Sequence, residues 1–325
     1  MPHLIATLVA FVAFVLPAGP LGAQAQRVTV FRVGVLYPGG AEALSPRLAA
    51  FQQGLRASGF VEGTNISIEA RSADGKSDRL ASMAGELVKR QVRVIATSGD
   101  FATRTAQEAT RTIPIVAFTD DLVGAGLVAS HARPGGNTTG ISILSPELNA
   151  KRLQMLKELS PRIARVAVLW DPATGAAQLK AMEIVSRALG VQLLVIEVRA
   201  LSGVDEAFAT ALKEQAEAVN VLGSPLLSSY SNKIIDRAAN SRLPAIYQWR
   251  EHADAGGLMS YGPNLLDTWR QTGVLVGKVL RGAQPADLPV EEPTTFELII
   301  NLKTATALGL SVPQSLLSRA DRVIQ

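Results

Sequence analysis

Catalysis needs nucleophiles, bases or metal ligands at workable spacings, and this sequence offers few. The histidines are His3, His131 and His252, with no H-x-x-x-H or H-E-x-x-H frame between them to grip a metal. The chain has no cysteine, which removes disulfides, thiolate catalysis, zinc–thiolate sites and iron–sulfur clusters. A G-x-S-x-G elbow, a Walker A loop and a G-x-G-x-x-G turn are all missing. Asp120 and Asp171 are acids of the type a glycoside hydrolase opposes across its substrate, but any two acids at strand ends meet that description. No cofactor and no metal are expected. His131 and His252 read as surface or structural residues.

What the sequence does offer is a set of groups suited to holding one small solute. Tyr37 follows a run of apolar residues, and Ser98-Gly99-Asp100 follows another and opens a helix whose N-terminal amides could take a carboxylate. Thr119-Asp120-Asp121, Trp170-Asp171, Gly223-Ser224 and Tyr247-Gln248-Trp249-Arg250 stand at equivalent places. In α/β sheets the carboxyl ends of strands are where ligands bind. Aromatic residues make up only 5% of the chain, yet Tyr37, Trp170, Tyr247, Trp249 and Tyr261 all fall at such ends or at crossings. The candidate ligand-binding set is therefore Tyr37, Ser98, Asp120, Asp171, Ser224, Tyr247, Trp249 and Tyr261. Either Asp120 or Asp171 can pair with an ammonium group, while hydroxyls and backbone amides take a carboxylate. The same rings could instead cap the cores of two lobes and leave a polar cleft for a sugar or nucleoside.

The elements that position these residues follow a beat. Val28 to Tyr37 reads as a strand ending in Pro38-Gly39-Gly40, and Pro46 to Ser58 as a helix stopped by Gly59. Strand Ile66–Ala70, helix Arg79–Arg90, strand Val92–Thr97, helix Ala102–Thr110 and strand Ile115–Phe118 continue it. After the turn-rich stretch Arg133 to Gly140 the beat restarts: Arg165 to Trp170 echoes Arg32 to Tyr37. Strands at Gln192–Val198, Ala218–Leu222 and Ala245–Tyr247 alternate with helices at Val204–Gln215 and Lys233–Ser241. Leu265 to Leu280 is a further helix, and Pro293 to Val323 supplies one more strand and two short helices. Strict alternation with short loops means a parallel sheet covered by helices, here twice: an α/β chain of two Rossmann-like, three-layer lobes.

Leu4 to Leu16 is an apolar run too short to span a membrane comfortably, followed by Ala23-Gln24-Ala25, a small-x-small cleavage site. Residues 1–25 are expected to be an export signal cleaved near Ala25, which places the protein in the periplasm. The remaining 300 or so residues suffice for two lobes without staples. Apolar residues are 47% of the chain and the net charge is +4. That charge is spread out, with no run of five basic residues, so nucleic acid is not an expected partner.

Phe51-Gln52-Gln53-Gly54-Leu55, Gly59 to Ile66, Thr112 to Val116, Gly126 to Ser130 with Arg133 to Gly140, Lys151-Arg152-Leu153, Leu243 to Tyr247, Gly256 to Gly262 and Phe296 to Gly309 together carry a family resemblance. On these the chain resembles the periplasmic substrate-binding proteins of ABC transporters, in the family labelled tryptophan/tyrosine-type, with the type I periplasmic-binding fold. Where relatives often have Asp-Pro-Val this chain has Asp120-Asp121-Leu122. The resemblance implies three hinge crossings near Gly140, Ser260 and Glu291. The lobes are then 26–139 with 262–290, and 140–261 with 291–325. It also implies a cleft lined by Tyr37, Ser98, Asp120, Asp171, Ser224 and Tyr247. The expected role is capture without turnover: lobes close on a small solute, an aromatic amino acid or another carboxylate-bearing compound, and a monomer presents it to permease subunits in the inner membrane. A periplasmic hydrolase using cleft carboxylates and a ligand-sensing module of a signalling system are the alternatives.

Overall fold

A computed structural model describes residues 30–325, Gly175 excepted. The expected export signal and its cleavage site lie outside the described residues. The first sheet is wholly parallel. Its strands are β1 (Phe31–Tyr37), β2 (Ile66–Ser72), β3 (Val94–Ser98), β4 (Ile115–Thr119) and β5 (Thr138–Ser142), in the order β2-β1-β3-β4-β5. β3, β4 and β5 are buried along their whole length, as parallel strands covered on both faces must be. The covering helices are α1 (Ala41–Ala57), α2 (Leu80–Lys89) and α3 (Asp100–Ala109). α1 starts five residues before Pro46, because Ala41, Glu42, Ala43 and Leu44 are good helix formers and the proline forfeits only one backbone bond near the helix start.

The turn expected across 133–140 ends sooner than the sequence suggests. Thr138, Thr139 and Gly140 already belong to β5, paired with Ile115, Val116 and Ala117 of β4. A Cβ at Gly140 would overlap the Ala117 carbonyl, so glycine here serves close strand approach instead of a turn.

The second lobe begins with α4 (Ser145–Leu159), an element that the sequence reading leaves unassigned. It continues with β6 (Arg165–Trp170), α5 (Ala177–Leu189), β7 (Gln192–Glu197), α6 (Gly203–Lys213) and β8 (Ala218–Val221). Then come α7 (Pro225–Ser229), α8 (Ser231–Asn240), β9 (Ala245–Tyr247), α9 (Arg250–Asp254) and β10 (Met259–Gly262). The chain returns to the first lobe for α10 (Leu265–Leu280). It finishes in the second lobe with β11 (Glu297–Asn301), α11 (Leu302–Ala307), α12 (Gln314–Leu317) and β12 (Arg322–Ile324). The second sheet runs β12-β11-β10-β9-β8-β6-β7, parallel throughout except that β11 lies antiparallel to β10.

α10 belongs to the first lobe because it packs on α1 through glycines. A Cβ at Gly54 would overlap the Arg270 carbonyl, and one at Gly273 would overlap the Phe51 carbonyl. The chain thus changes lobe between β5 and α4, between β10 and α10, and between Glu291 and β11. The third crossing runs beside the first: Glu291 donates from its amide to Gly140 O at 2.9 Å, and Ser142 N donates to Glu291 O at 2.9 Å. Three backbone crossings between two separate cores are the construction of a hinge.

Candidate functional site

The carboxyl ends of β1, β3 and β4, with the start of α10, face α7 and the β9–α9 turn across a narrow inter-lobe cavity of about 390 Å³ including its opening to solvent. Tyr37, Ser98, Asp120, Ser224 and Trp249 from the candidate set line it together. So do four residues outside the candidate set: Arg47, Phe118, Gln248 and Trp269. The rings form a connected wall. Tyr37 meets Trp269 edge-on at 6.1 Å between centroids, Phe118 meets Trp269 at 6.1 Å, and Phe118 meets Trp249 of the other lobe at 6.1 Å.

Polar groups punctuate this wall. Arg47, buried on α1, donates to the Tyr37 hydroxyl, and its guanidinium carbon lies 5.3 Å from the Tyr37 ring centre. Burial pushes the Tyr37 phenol up from its usual value, with Arg47 opposing. Thr119 Oγ1, Gln248 Oε1 and Trp269 Nε1 are buried with no hydrogen-bond partner among the described residues, and all three residues line the cavity. Buried polar atoms are ordinarily paired, so three that are not, around one space, single this cavity out as the candidate site.

Asp120 is the one carboxylate among the residues lining this cavity. Its Oδ1 accepts from Ser145 Oγ at 2.5 Å and its Oδ2 from Gln178 Nε2 at 2.8 Å, both donors being in the second lobe. Burial pushes Asp120 up to about 6, against the Ser145 hydrogen bond and the Arg152 charge. Asp100, in the first turn of α3, is pushed up to about 8 by burial and by the charges of Asp120 and Asp121. At neutral pH it is mostly protonated and adds little negative charge beside that helix N-terminus.

The other candidates are placed differently. Asp171 lines an adjoining space with Asp100, Phe101 and Arg199. Its oxygens are taken by Ser224 Oγ at 2.6 Å and the Ala173 amide at 3.0 Å, and burial raises it. Ser224 also caps α7, accepting from the amides of Leu226 and Leu227. Tyr247 sits in the core of the second lobe, not on the cavity: its ring stacks on His252 at 5.2 Å and its hydroxyl has no partner among the described residues. β9 is only three residues long, and its last side chain points into the core while Gln248 and Trp249 turn outward to the cleft. Tyr261 packs on Phe296 at 6.3 Å, away from the cavity, and Trp170 packs against the second core. His252 is buried and pushed down to about 4, so it is a neutral structural residue; His131 lies 2.9 Å from a Glu292 carboxylate oxygen.

The lobes touch at the mouth. Gly40 N donates to Ser229 Oγ at 3.3 Å, and a Cβ at Gly99 would lie 3.2 Å from Pro225. Two sheet-centred lobes shut on an aromatic and polar cavity, joined by three crossings, define a solute-binding protein of the type I periplasmic-binding fold. Residues 32–324 match the family described as ABC transporter substrate binding protein, and the chain belongs to that family.

Similar proteins include a tyrosine-binding protein of Clostridioides difficile, 28% identical over 266 residues that cover 80% of this chain and 75% of that one. A Streptococcus domain solved in complex with L-Trp superposes with a TM-score of 0.84 at 24% identity, covering 91% of this chain and all of that one. A ligand-free, open substrate-binding protein with adhesive properties from Clostridium difficile gives 0.63 at 23% identity, covering 91% and 99%.

Proposed function

We propose that this chain captures a small zwitterion with an aromatic body, an aromatic amino acid, and delivers it outside the inner membrane to the permease of an ABC importer. The observation that carries the reading is the cavity: a four-ring wall holding one cation, Arg47, one carboxylate, Asp120, and three unpartnered buried polar atoms. Arg47 suits the solute carboxylate, since a guanidinium presents paired donors to it. Asp120 suits the ammonium, and Tyr37, Phe118, Trp249 and Trp269 suit the body. The relatives that bind tyrosine or L-Trp support this choice of solute. The shut lobes agree with the higher superposition score against the L-Trp complex than against the open, ligand-free form.

Closure is the working step. Tyr37, Arg47 and Trp269 meet the solute on the first lobe, while Gln248 and Trp249 reach it only when the second lobe arrives. That differential contact moves an open–closed balance toward closed. Turnover has no place in this scheme: the Asp171 carboxylate is held by Ser224 and the Ala173 amide outside the main cavity. A thermal-shift screen with L-tyrosine, L-tryptophan, glucose and adenosine tests it. L-Tyrosine or L-tryptophan should raise Tm by mass action and be recovered unchanged by mass spectrometry. A shift with glucose or adenosine alone, or a chemically altered solute, contradicts the proposal.

A further inference from the structure

Arg152 is the most heavily buried cation of the described chain, fully excluded from solvent on α4. It has no ion pair among the described residues, and its Nε has no hydrogen-bond partner there. Burying a guanidinium without a counter-charge is costly enough that such residues are rare. Its two amino groups are committed. Nη1 donates to the Tyr261 carbonyl at 2.7 Å, on β10 just before the second crossing, and Nη2 donates to Asn149 Oδ1. The Asn149 side-chain amide then donates to Gln178 Oε1 at 2.7 Å, and the Gln178 amide donates to Asp120 Oδ2 at 2.8 Å.

Every donor in this chain points away from the cation and toward the carboxylate. The two amide dipoles are therefore aligned head to tail between the charges, an arrangement in which each bond strengthens the next. Arg152, Asn149 and Gln178 are in the second lobe and buried, whereas Asp120 directly follows β4 of the first. Ser145, the first residue after the hinge crossing, holds the other oxygen of Asp120. Withdrawing the first lobe would remove the carboxylate and leave the cation with amides alone.

We propose that Asp120, Gln178, Asn149 and Arg152 form a closure latch, in which the charge of Arg152 is balanced by the opposite lobe only when the cleft is shut. Arg152 is a positioning residue: it acts on the solute through Asp120 and ties the same chain to the hinge strand through Tyr261. The latch rests on the reading of the protein as one that shuts on a solute, but it concerns the lobes and not the solute's identity.

The test uses the absence of native cysteine. Spin labels on Lys76→Cys and Asn232→Cys, exposed on either side of the mouth, report the open and closed populations as distances. They are measured with no solute and with L-tryptophan. Asp120→Asn and Arg152→Met should each lower the closed-to-open ratio by about tenfold or more, since each leaves one buried charge alone. The double variant should recover to within about threefold of the parent ratio, the non-additivity of a true pair. Gln178→Leu breaks the relay without removing either charge, and it too should lower the ratio if Arg152→Met fails to fold. Unchanged ratios, losses that multiply in the double variant, or a parent chain with no closed population under either condition overturn the latch. A merely structural Arg152 would lower Tm and leave the distances alone. If L-tryptophan has no effect but the cycle still closes, the latch stands and the aromatic amino acid reading falls.

Discussion

Tyr37 and Tyr247 look alike in sequence, each the last residue of an apolar strand, and the structure gives them opposite surroundings. Tyr37 lines the cavity with its hydroxyl on Arg47; Tyr247 is sealed in the second core with an unpartnered hydroxyl. Removing a buried hydroxyl that bonds to nothing should be neutral or stabilising by up to about 1 kcal/mol, so Tyr247→Phe should hold or raise Tm and leave solute affinity unchanged. Arg47→Met should instead weaken binding of a carboxylate-bearing solute by roughly 1.5–3 kcal/mol, tenfold or more, measured by calorimetric titration. Equal affinities in Arg47→Met and the parent would remove Arg47 from the site.

Asp100 carries a pH signature. Burial and the charges of Asp120 and Asp121 hold its carboxyl at about 8 in the folded protein against 3.8 for an aspartate in water, and burial holds Asp120 at about 6. Between those values the folded chain binds protons that the unfolded chain has lost, so stability falls as pH rises from about 4 to about 8. Asp100→Asn takes one proton out of that window. Its Tm should fall less than the parent's over the range and exceed it above pH 8. A parallel Tm profile would show that Asp100 titrates normally.

At the scale of elements, the strands were the legible part. Parallel strands buried on both faces read as apolar runs, and β1, β3, β4, β6 and β8 stand close to where those runs predict. α4 was not legible, because its buried face carries Ser145, Asn149 and Arg152 among the leucines, and polar residues at core positions erase the amphipathic pattern. The site divides the same way. Strand ends pointed to Tyr37, Ser98, Asp120, Ser224 and Trp249, whereas Arg47, Gln178 and Trp269 sit on helices at spacings any amphipathic helix shows. The α1–α10 crossing was likewise invisible, since nothing in a sequence says which glycines face each other. Gly273→Val should cost about 1–3 kcal/mol by overpacking against Phe51, read as a lower midpoint in urea. An unchanged midpoint would mean that the helices part easily.

At the scale of the whole molecule, two cores close on an aromatic and polar cavity, and in the proposed function a solute draws the lobes together and leaves intact. Calorimetric titration with L-tyrosine and L-tryptophan at several temperatures tests that claim most directly. Burying the solute and the mouth surfaces together predicts saturable one-to-one binding with a negative heat-capacity change. No saturable heat with either amino acid, or a steady heat that persists after saturation as turnover would give, would contradict it.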